Sequence, residues 1–290
     1  MCICDVFHIN CQSINAHWDE LHDLVRNIST QKYSVDVIGL SEVFNIHPNI
    51  NYDMDGYHPI EYNIRSDKNG RGGVAMYVKD SIDFKKQDDL SVFIPHVIES
   101  IFMEIQNSHN EVTIVGTVYR PNTQPLADVD IFLTNIKEIT EIIHNEGKKM
   151  ILMGDFNIDL LKFETHTKTN DLICDLMSYG VMPLITKPTR VTAHSATIID
   201  HIYSNIIDAR NTSGIVVSDI SDHFGVFTVF HQQDKFKKCV AKYTRTFNEG
   251  SKTAFKDILT NTNFDQIFNI TCPNEAYNHF TQYTYNMLSP

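Results

Sequence analysis

The stretch Met150–Asn157, with the sequence MILMGDFN, decides how we expect this chain to fold. Four apolar residues predict a short buried strand, and Gly154 is predicted to interrupt it. Asp155 and Asn157 lie two positions apart, so in an extended segment both point to the same side. Because an ionised carboxylate is costly inside a core, this pair suits the rim of a sheet, where it can bind a cation or hold a water. The alternative is an Asx-turn, in which both side chains only cap the backbone.

Strand and helix patterns alternate irregularly along the rest of the chain. The predicted strands are 6–9, 35–40, 74–78, 97–105, 112–119, 150–153, 198–203 and 224–230, and the predicted helices are 17–28, 131–143 and a segment around 172–177. Residues 45–72 have the composition of a loop, and 107–110 are typical of a hairpin turn. This order favours an α/β fold with mixed or antiparallel sheets.

Polar residues recur at the ends of these predicted strands. Any one of them has an ordinary explanation, such as a solvated strand end for a glutamate. Eight at comparable positions predict a single acidic, histidine-containing cleft if the strand ends converge. A cluster rich in oxygen and free of cysteine suits Mg²⁺ rather than Zn²⁺. The eight residues are Asn10, Glu42, Tyr119, Asp155, Asn157, Asp200, Asp222 and His223.

Composition limits the class of protein. The net charge of −12 argues against extensive electrostatic wrapping of nucleic acid, although a metal–carboxylate site adds acid that a cation neutralises. No apolar run approaches the length of a membrane span, and the N-terminus lacks the pattern of a signal peptide. The six cysteines are scattered, which favours reduced thiols. We therefore expect an intracellular protein of the nucleus or cytoplasm, not secreted and not bound to a membrane.

The character of the chain changes after His231. Residues 232–290 carry a net charge of +2, against −14 for residues 1–231, and they begin with a polar segment. Phe255, Ile258 and Leu259 form one short apolar stripe there. We predict one catalytic domain over 1–231, followed by a polar linker and a partly helical tail over 232–290.

Seven motifs in this order resemble the endonuclease/exonuclease/phosphatase superfamily. The Gly-Gly-Val-Ala, Tyr-Arg-Pro and Ile-Asp-His-Ile motifs look most like the apurinic-type endonuclease of non-LTR retrotransposons, and the resemblance covers about residues 6–231. The chain carries no reverse transcriptase, so we expect a fragment of a longer element, a degraded copy or a stand-alone derivative. The motifs are Asn10–Ser13, Ser41–Glu42, Gly72–Ala75, Tyr119–Pro121, Gly154–Asn157, Ile199–Ile202 and Ser221–His223.

The resemblance implies a four-layer α/β sandwich, with two packed mixed sheets flanked by helices. It implies that Glu42 is the principal ligand of Mg²⁺ or Mn²⁺, with Asn10 and Asp222 near the metal. Asp155 would orient or deprotonate the attacking water, and Asn157 would hold water or phosphate.

The same resemblance gives roles to three further residues. Tyr119 would bond the phosphate. His223 would stabilise phosphate charge or transfer a proton, with Asp200 orienting its ring, as a carboxylate fixes an imidazole tautomer in other enzymes.

Cations in the loops beside the motif strands are candidates for contact with DNA. The candidate DNA-binding residues are Arg71, Arg120, Thr189 and Arg190, with Thr192 as an alternative to Thr189. Arg65, Lys68 and Lys187 lie in neighbouring loops, and all these charges could equally be ordinary solvated ones.

Three functions remain open from sequence. The leading hypothesis is a monomeric, magnesium-dependent endonuclease that nicks DNA. The second is a phosphatase or phosphodiesterase of the same superfamily, since a shared fold does not decide the substrate. The third is a catalytically idle interaction module left by a retroelement.

Overall fold

The computed structural model describes residues 4–30, 35–47, 49–65, 70–106, 112–122, 126–231 and 249–288. The chain divides into two compact units, Met1–Asp234 and Lys235–Pro290. Lys68, the predicted hairpin turn at 107–110 and residues 232–248, with which the predicted linker and tail begin, lie outside the described residues. The predicted domain boundary at residue 231 stays a prediction.

The described elements are fifteen strands, six α-helices and one 3₁₀ turn at Leu160–Lys162. The strands are β1 (Val6–Asn10), β2 (Val37–Ser41), β3 (Glu61–Asn63), β4 (Val74–Val78), β5 (Phe84–Lys86), β6 (Phe93–Ile94), β7 (Ile98–Gln106), β8 (Val112–Tyr119), β9 (Lys149–Asp155), β10 (Met182–Pro183), β11 (Arg190–Val191), β12 (Ala196–Thr197), β13 (Asp200–Ser204), β14 (Thr212–Val216) and β15 (Gly225–Val229). The helices are α1 (Trp18–Thr30), α2 (Leu126–Asn145), α3 (Thr167–Ser178), α4 (Glu249–Asn261), α5 (Asp265–Phe268) and α6 (Pro273–Leu288).

Two large mixed sheets form the first unit. One has six strands in the order β14-β15-β1-β2-β4-β3, and the other has the order β10-β13-β9-β8-β7-β5, with β6 paired to β7. β1 and β2 are parallel in the first sheet, and β8 and β9 are parallel in the second. β11 and β12 form a separate short hairpin.

The sheets pack face to face with helices outside them. Apolar side chains of both sheets share one inner core, which includes Val37 and Met153. α1 packs on the outer face of the first sheet through Leu21, whereas α2 and α3 cover the second through Phe132 and Leu172. Helix, sheet, sheet and helices therefore make four layers, which confirms the predicted fold class.

Three features of the predicted strands, loops and helices differ from the structure. Gly154 does not end its strand: it lies inside β9, where a Cβ atom would meet the carbonyl oxygen of Val118 at 1.8 Å. The predicted loop over 45–72 contains the short strand β3. Met177, one of the apolar residues of the predicted helix around 172–177, is 46% exposed.

The second unit contains helices α4, α5 and α6. The rings of Phe264 and Phe280 lie 6.2 Å apart within it. Several apolar side chains there are exposed, with Phe268 the most exposed at 82%. No helix within the described ranges is both long and apolar enough to cross a membrane. Cys4, Cys11, Cys174 and Cys272 are free thiols.

Candidate active site

Sheet topology brings the predicted strand ends to one edge of the molecule. β1 and β2 run parallel and end at the paired residues Asn10 and Ser41, while β8 and β9 end at the paired residues Tyr119 and Asp155. β13 runs antiparallel to β9, so its first residue, Asp200, lies beside Asp155. β15 runs antiparallel to β1, which places the preceding Asp222-His223 at the same edge.

Asn10 links the two sheets at this edge. Its amide nitrogen donates to Glu42 Oε1 at 3.0 Å and to Asp155 Oδ2 at 2.9 Å. The hydroxyl of Tyr119 donates to the same Glu42 oxygen at 3.0 Å. Burial, with the charge of Glu42 acting in the same direction, raises the pKa of Tyr119 well above its usual value, so the phenol stays a donor.

His223 and two buried carboxylates form the other half of the cluster. His223 Nδ1 lies 2.9 Å from Asp200 Oδ2 and 4.0 Å from Asp155 Oδ2. Burial alone would lower the pKa of His223, but the carboxylates of Asp200, Asp155 and Asp222 raise it to about 9. The ring is therefore an imidazolium at neutral pH, held in place by Asp200.

Asp155 lies at the centre of the cluster and is fully buried. Burial, followed by the charge of Asp200, raises the pKa of Asp155 to about 7, while His223 and Asn10 act in the opposite direction. Its Oδ1 accepts the backbone N–H of Asn157 at 3.0 Å, which is an Asx-turn, and its Oδ2 faces Asn10 and His223. The Asx-turn is therefore present at one oxygen of Asp155, and the cation- or water-binding role of the other oxygen stays a prediction.

The backbone at this edge is strained. Gln12, Glu42 and Asn157 have φ values of 44°, 52° and 48°, a left-handed conformation that non-glycine residues seldom adopt. Such residues cluster at functional sites, where surrounding contacts hold them.

Asp222 is the most exposed member of the cluster. Its Oδ2 accepts from Arg190 Nε at 2.7 Å, and its Oδ1 accepts from the amide of Gln12 at 2.5 Å. Burial is the largest single influence and raises the pKa of Asp222, but the hydrogen bond from Arg190 and the charge of His223 together outweigh it and lower that pKa. Gln12 is a member of the cluster that sequence reasoning missed, although it stands in the first motif.

Arg120, which was predicted as a DNA contact, binds the protein's own backbone. It is buried, and its guanidinium donates to the carbonyl oxygens of Phe156 at 2.7 Å, Asn157 at 2.6 Å and Pro121 at 3.3 Å. The Asn157 amide returns a hydrogen bond to the Arg120 carbonyl at 2.8 Å. Because its donors face backbone, Arg120 holds the loop that carries Asn157 instead of meeting phosphate.

Thr189, also predicted as a DNA contact, binds backbone groups inside the fold. It is fully buried, and its hydroxyl accepts the backbone N–H groups of Ile199 at 3.2 Å and Asp200 at 3.1 Å. Its carbonyl accepts the N–H of Phe224 at 2.7 Å. Thr189 therefore fastens the segment that carries Asp200 to the segment that carries His223.

Not all of the cations that were candidates for contact with DNA are exposed. Arg65 is buried and paired with Glu99, so it cannot meet DNA in this conformation. Arg71 and Lys187 are exposed, and Arg190 is partly exposed in its pair with Asp222.

Two sets of oxygen-rich groups could hold a cation. Ligand atoms of Asp155, Asp200 and His223 all lie within 4.8 Å of one another, and Asp200 Oδ1 is a buried oxygen with no partner among the described groups. Glu42 is partly exposed beside Asn10, and the donors described for its carboxylate are both neutral. Hard carboxylate and amide oxygens suit Mg²⁺ or Mn²⁺ in either place.

Comparison with known proteins places this geometry in a family. A family model described as the endonuclease/exonuclease/phosphatase family matches residues 8–223. No curated protein sequence gives a significant match.

Several solved structures share the fold. The endonuclease domain of TRAS1, a telomere-specific non-LTR retrotransposon, is 16% identical over 80% of this chain and 100% of its own, with a TM-score of 0.58. The 3′-5′ exonuclease NExo from Neisseria meningitidis is 17% identical over 79% of this chain and 100% of its own, also at 0.58. The catalytic domain of Xenopus laevis APE2 is 16% identical over 78% and 91%, again at 0.58. At these identities the likeness concerns the fold, and the family model adds the sequence evidence. The predicted resemblance is confirmed: this chain belongs to the endonuclease/exonuclease/phosphatase family.

Proposed function

We propose that this chain is a magnesium-dependent endonuclease that hydrolyses a phosphodiester bond of DNA and leaves a nick. The family consists of hydrolases of phosphate esters that depend on a divalent metal. One observation carries the proposal. The groups needed for such a reaction form a continuous line, from Tyr119 through Glu42 and Asn10 to Asp155 and on to His223.

Glu42 is the residue best suited to hold the metal, with Asn10 beside it and Asp222 nearby. The alternative set of Asp155, Asp200 and His223 is less suitable, because His223 is an imidazolium bonded to Asp200, and a positive ring repels a cation. When bound, Mg²⁺ supplies charge stabilisation for the phosphate in the transition state.

Asp155 is placed to accept a proton from the attacking water. Burial and the charge of Asp200 raise its pKa above the ordinary range of a carboxyl, which makes the carboxylate a stronger base. Asn157 holds the carboxylate through its backbone N–H and its amide, the latter at 3.3 Å. The strained backbone of Asn157, fixed by Arg120, keeps that arrangement rigid.

His223 and Tyr119 stabilise the developing charge. The Nε2–H of the His223 imidazolium can donate to a phosphate oxygen, since Nδ1 is used by Asp200. The Tyr119 hydroxyl, now bonded to Glu42, can turn to a second phosphate oxygen. Preorganised donors of this kind each contribute on the order of 10²–10³ in rate.

Two surface features support DNA over a small phosphate. Arg71 and Arg190 offer cations beside the cluster, and the hairpin β11–β12 presents exposed residues between Val191 and Ala196. Arg190, the first residue of this hairpin, donates a hydrogen bond to Asp222, so the hairpin is joined to the catalytic edge. The chain would act on DNA inside the cell, in keeping with free thiols at Cys4 and Cys11.

A phosphatase is the second candidate. One of the solved structures that share this fold is that of the 3′ phosphatase NExo from Neisseria bound to a product DNA hairpin. The protein's net charge of −12 also disfavours long contact with a polyanion.

A substrate panel distinguishes the candidates. Supercoiled plasmid, a 3′-phosphorylated DNA hairpin and p-nitrophenyl phosphate should each be incubated with the full chain in Mg²⁺ and in EDTA. We expect conversion of supercoiled to nicked circular plasmid in Mg²⁺ alone. Phosphate release from the hairpin without plasmid nicking would favour the phosphatase, and inactivity on all three would favour an idle module.

A further inference from the structure

A buried ion pair lies behind the candidate active site and has no part in the mechanism above. The guanidinium of Arg65 contacts the carboxylate of Glu99 through two nitrogens, and both side chains are almost fully buried. A third nitrogen of Arg65 lies 3.0 Å from His96 Nδ1. The second oxygen of Glu99 accepts the backbone N–H of Gly73 at 2.5 Å. The pair therefore holds the start of β4.

That strand start is bonded to the backbone that follows Glu42. The carbonyl of Gly72 accepts the N–H of Phe44 at 2.8 Å, and the carbonyl of Gly73 accepts the N–H of Val43 at 3.4 Å. Glu42 itself has the left-handed φ of 52°, which its neighbours must maintain. Gly73 therefore connects Glu99 to the strained turn at Glu42, because it donates its N–H to Glu99 and accepts the N–H of Val43.

A second connection runs through the other sheet. Glu99 on β7 is paired directly with Tyr119 on β8, so the two side chains stand side by side on the inner face. Tyr119 in turn donates to Glu42 Oε1 at 3.0 Å. Glu99 therefore neighbours one support of the Glu42 backbone, at Gly73, and one support of its side chain, at Tyr119.

The Gly72-Gly73 motif is explained by the same contacts. A Cβ atom on Gly72 would lie 2.6 Å from the Arg65 guanidinium, and φ at Gly72 is 106°. A side chain there would have to displace Arg65 from Glu99. Gly72 leaves room for the Arg65 side chain, and Gly73 donates its N–H to Glu99. These contacts account for both glycines without a phosphate-binding role.

We propose that Arg65 and Glu99 are positioning residues that hold Glu42 and Tyr119 in place for metal binding. This inference rests on the proposed function, in which Glu42 is the principal metal ligand. A purely structural ion pair would contribute only to folding. Replacing a buried pair by apolar side chains of similar size is often neutral for stability, so folding and positioning can be separated.

The test uses the full chain and Mn²⁺ as the probe. The double variant Arg65→Met/Glu99→Leu removes both charges together and so leaves no unpaired charge in the core, but it removes the acceptor for Gly73. Arg65→Lys is the second variant, because it keeps the charge and loses the fork of donors. Ile136→Val, on the buried face of α2 in the outer core, is the control for a small change in packing.

Mn²⁺ affinity should be measured by electron paramagnetic resonance of the free ion, alongside thermal unfolding and the Mg²⁺ dependence of plasmid nicking. We expect the folded double variant to bind Mn²⁺ at least tenfold more weakly than wild type. We expect nicking to recover partly at high Mg²⁺, Arg65→Lys to fall between the two, and Ile136→Val to match wild type.

The outcomes separate this inference from the proposed function. Wild-type Mn²⁺ affinity in the folded double variant would overturn the positioning role and leave the proposed function intact. If the double variant does not fold, wild-type affinity in Arg65→Lys would overturn the role in the same way. A wild-type chain that binds no Mn²⁺ would refute the proposed function, and the inference with it.

Discussion

Replacing Asp200 by asparagine removes the charge that holds His223 protonated while keeping the shape of the side chain. Among the carboxylates that raise the pKa of His223, Asp200 is the strongest, and burial opposes all of them. The difference between about 9 and the ordinary 6.5 corresponds to roughly 3 kcal/mol in favour of the imidazolium. In Asp200→Asn burial should prevail, so the pKa of His223 should fall to 6.5 or below.

The expected loss follows from that change. At pH 8 the wild-type ring is mostly protonated, whereas the ring of the variant is mostly neutral and offers no positive charge to phosphate. Removing one transition-state stabiliser costs on the order of 10²–10³ in rate. The fold should survive, because a histidine that can lose its proton leaves no unpaired charge in the core.

The assay is the rate of plasmid nicking in Mg²⁺ from pH 5.5 to 9.5. Wild-type activity should decline as the pH rises through about 9, since the imidazolium then loses its proton, and the decline in Asp200→Asn should begin at least two pH units lower. Asp208→Asn is the matched control, because Asp208 pairs with Arg210 at 2.9 Å outside the cluster. A folded Asp200→Asn protein with the wild-type rate and pH profile would refute the catalytic role of the pair.

Three further predictions test the domain boundary, the DNA contact and the buried histidines. A protein ending at Gln233 should have the thermal stability and the nicking activity of the full chain. One ending at Gly225 should not fold, because it loses the strand that pairs with β1 and β14. Thermal unfolding and nicking should be measured for both, and a folded protein ending at Gly225 would contradict the prediction. Arg71→Ala should reduce the slope of log affinity for DNA against log salt by about 0.9, and an unchanged slope would speak for a small substrate. Burial lowers the pKa of His8 and of His201 to about 4. Above pH 6.5 both rings are neutral whether the chain is folded or unfolded, so the free energy of unfolding has its full value there. As the pH falls towards 4 it should decrease by up to roughly 3 kcal/mol for each histidine, because only the unfolded chain takes up the proton. Urea unfolding of His8→Gln and His201→Gln should show a weaker dependence on pH over this range, and an unchanged dependence would contradict the assignment.

Local patterns were sufficient to predict most of the fold. Apolar runs bounded by polar residues mark buried strands, and the 3.6-residue period marks α2, where Phe132, Ile136, Ile139 and Ile143 are all buried as expected. β14 was missed, since Thr212–Val216 is short, carries a glycine and is only half-buried. Its strand state comes from pairing with β15, which is not a local property.

The environment of some site residues could be predicted from the sequence, whereas that of others could not. The eight strand-end residues were identified because polar groups at the ends of buried strands are visible in sequence. Arg65, Arg120 and Thr189 were assigned to solvent or DNA, because arginine and threonine are usually exposed. Their burial depends on acceptors or donors from distant segments, such as the backbone carbonyl of Phe156 for Arg120, and these partners come together only when the chain is folded.

The dependence of plasmid nicking on Glu42 tests the central claim most directly. Wild type and Glu42→Ala should be compared over a range of Mg²⁺ concentrations, with EDTA as the blank and with circular dichroism to establish folding. We predict Mg²⁺-dependent nicking by wild type and the loss of most of that activity in a folded Glu42→Ala protein. Full activity of wild type in EDTA, or wild-type activity of Glu42→Ala at low Mg²⁺, would contradict the claim.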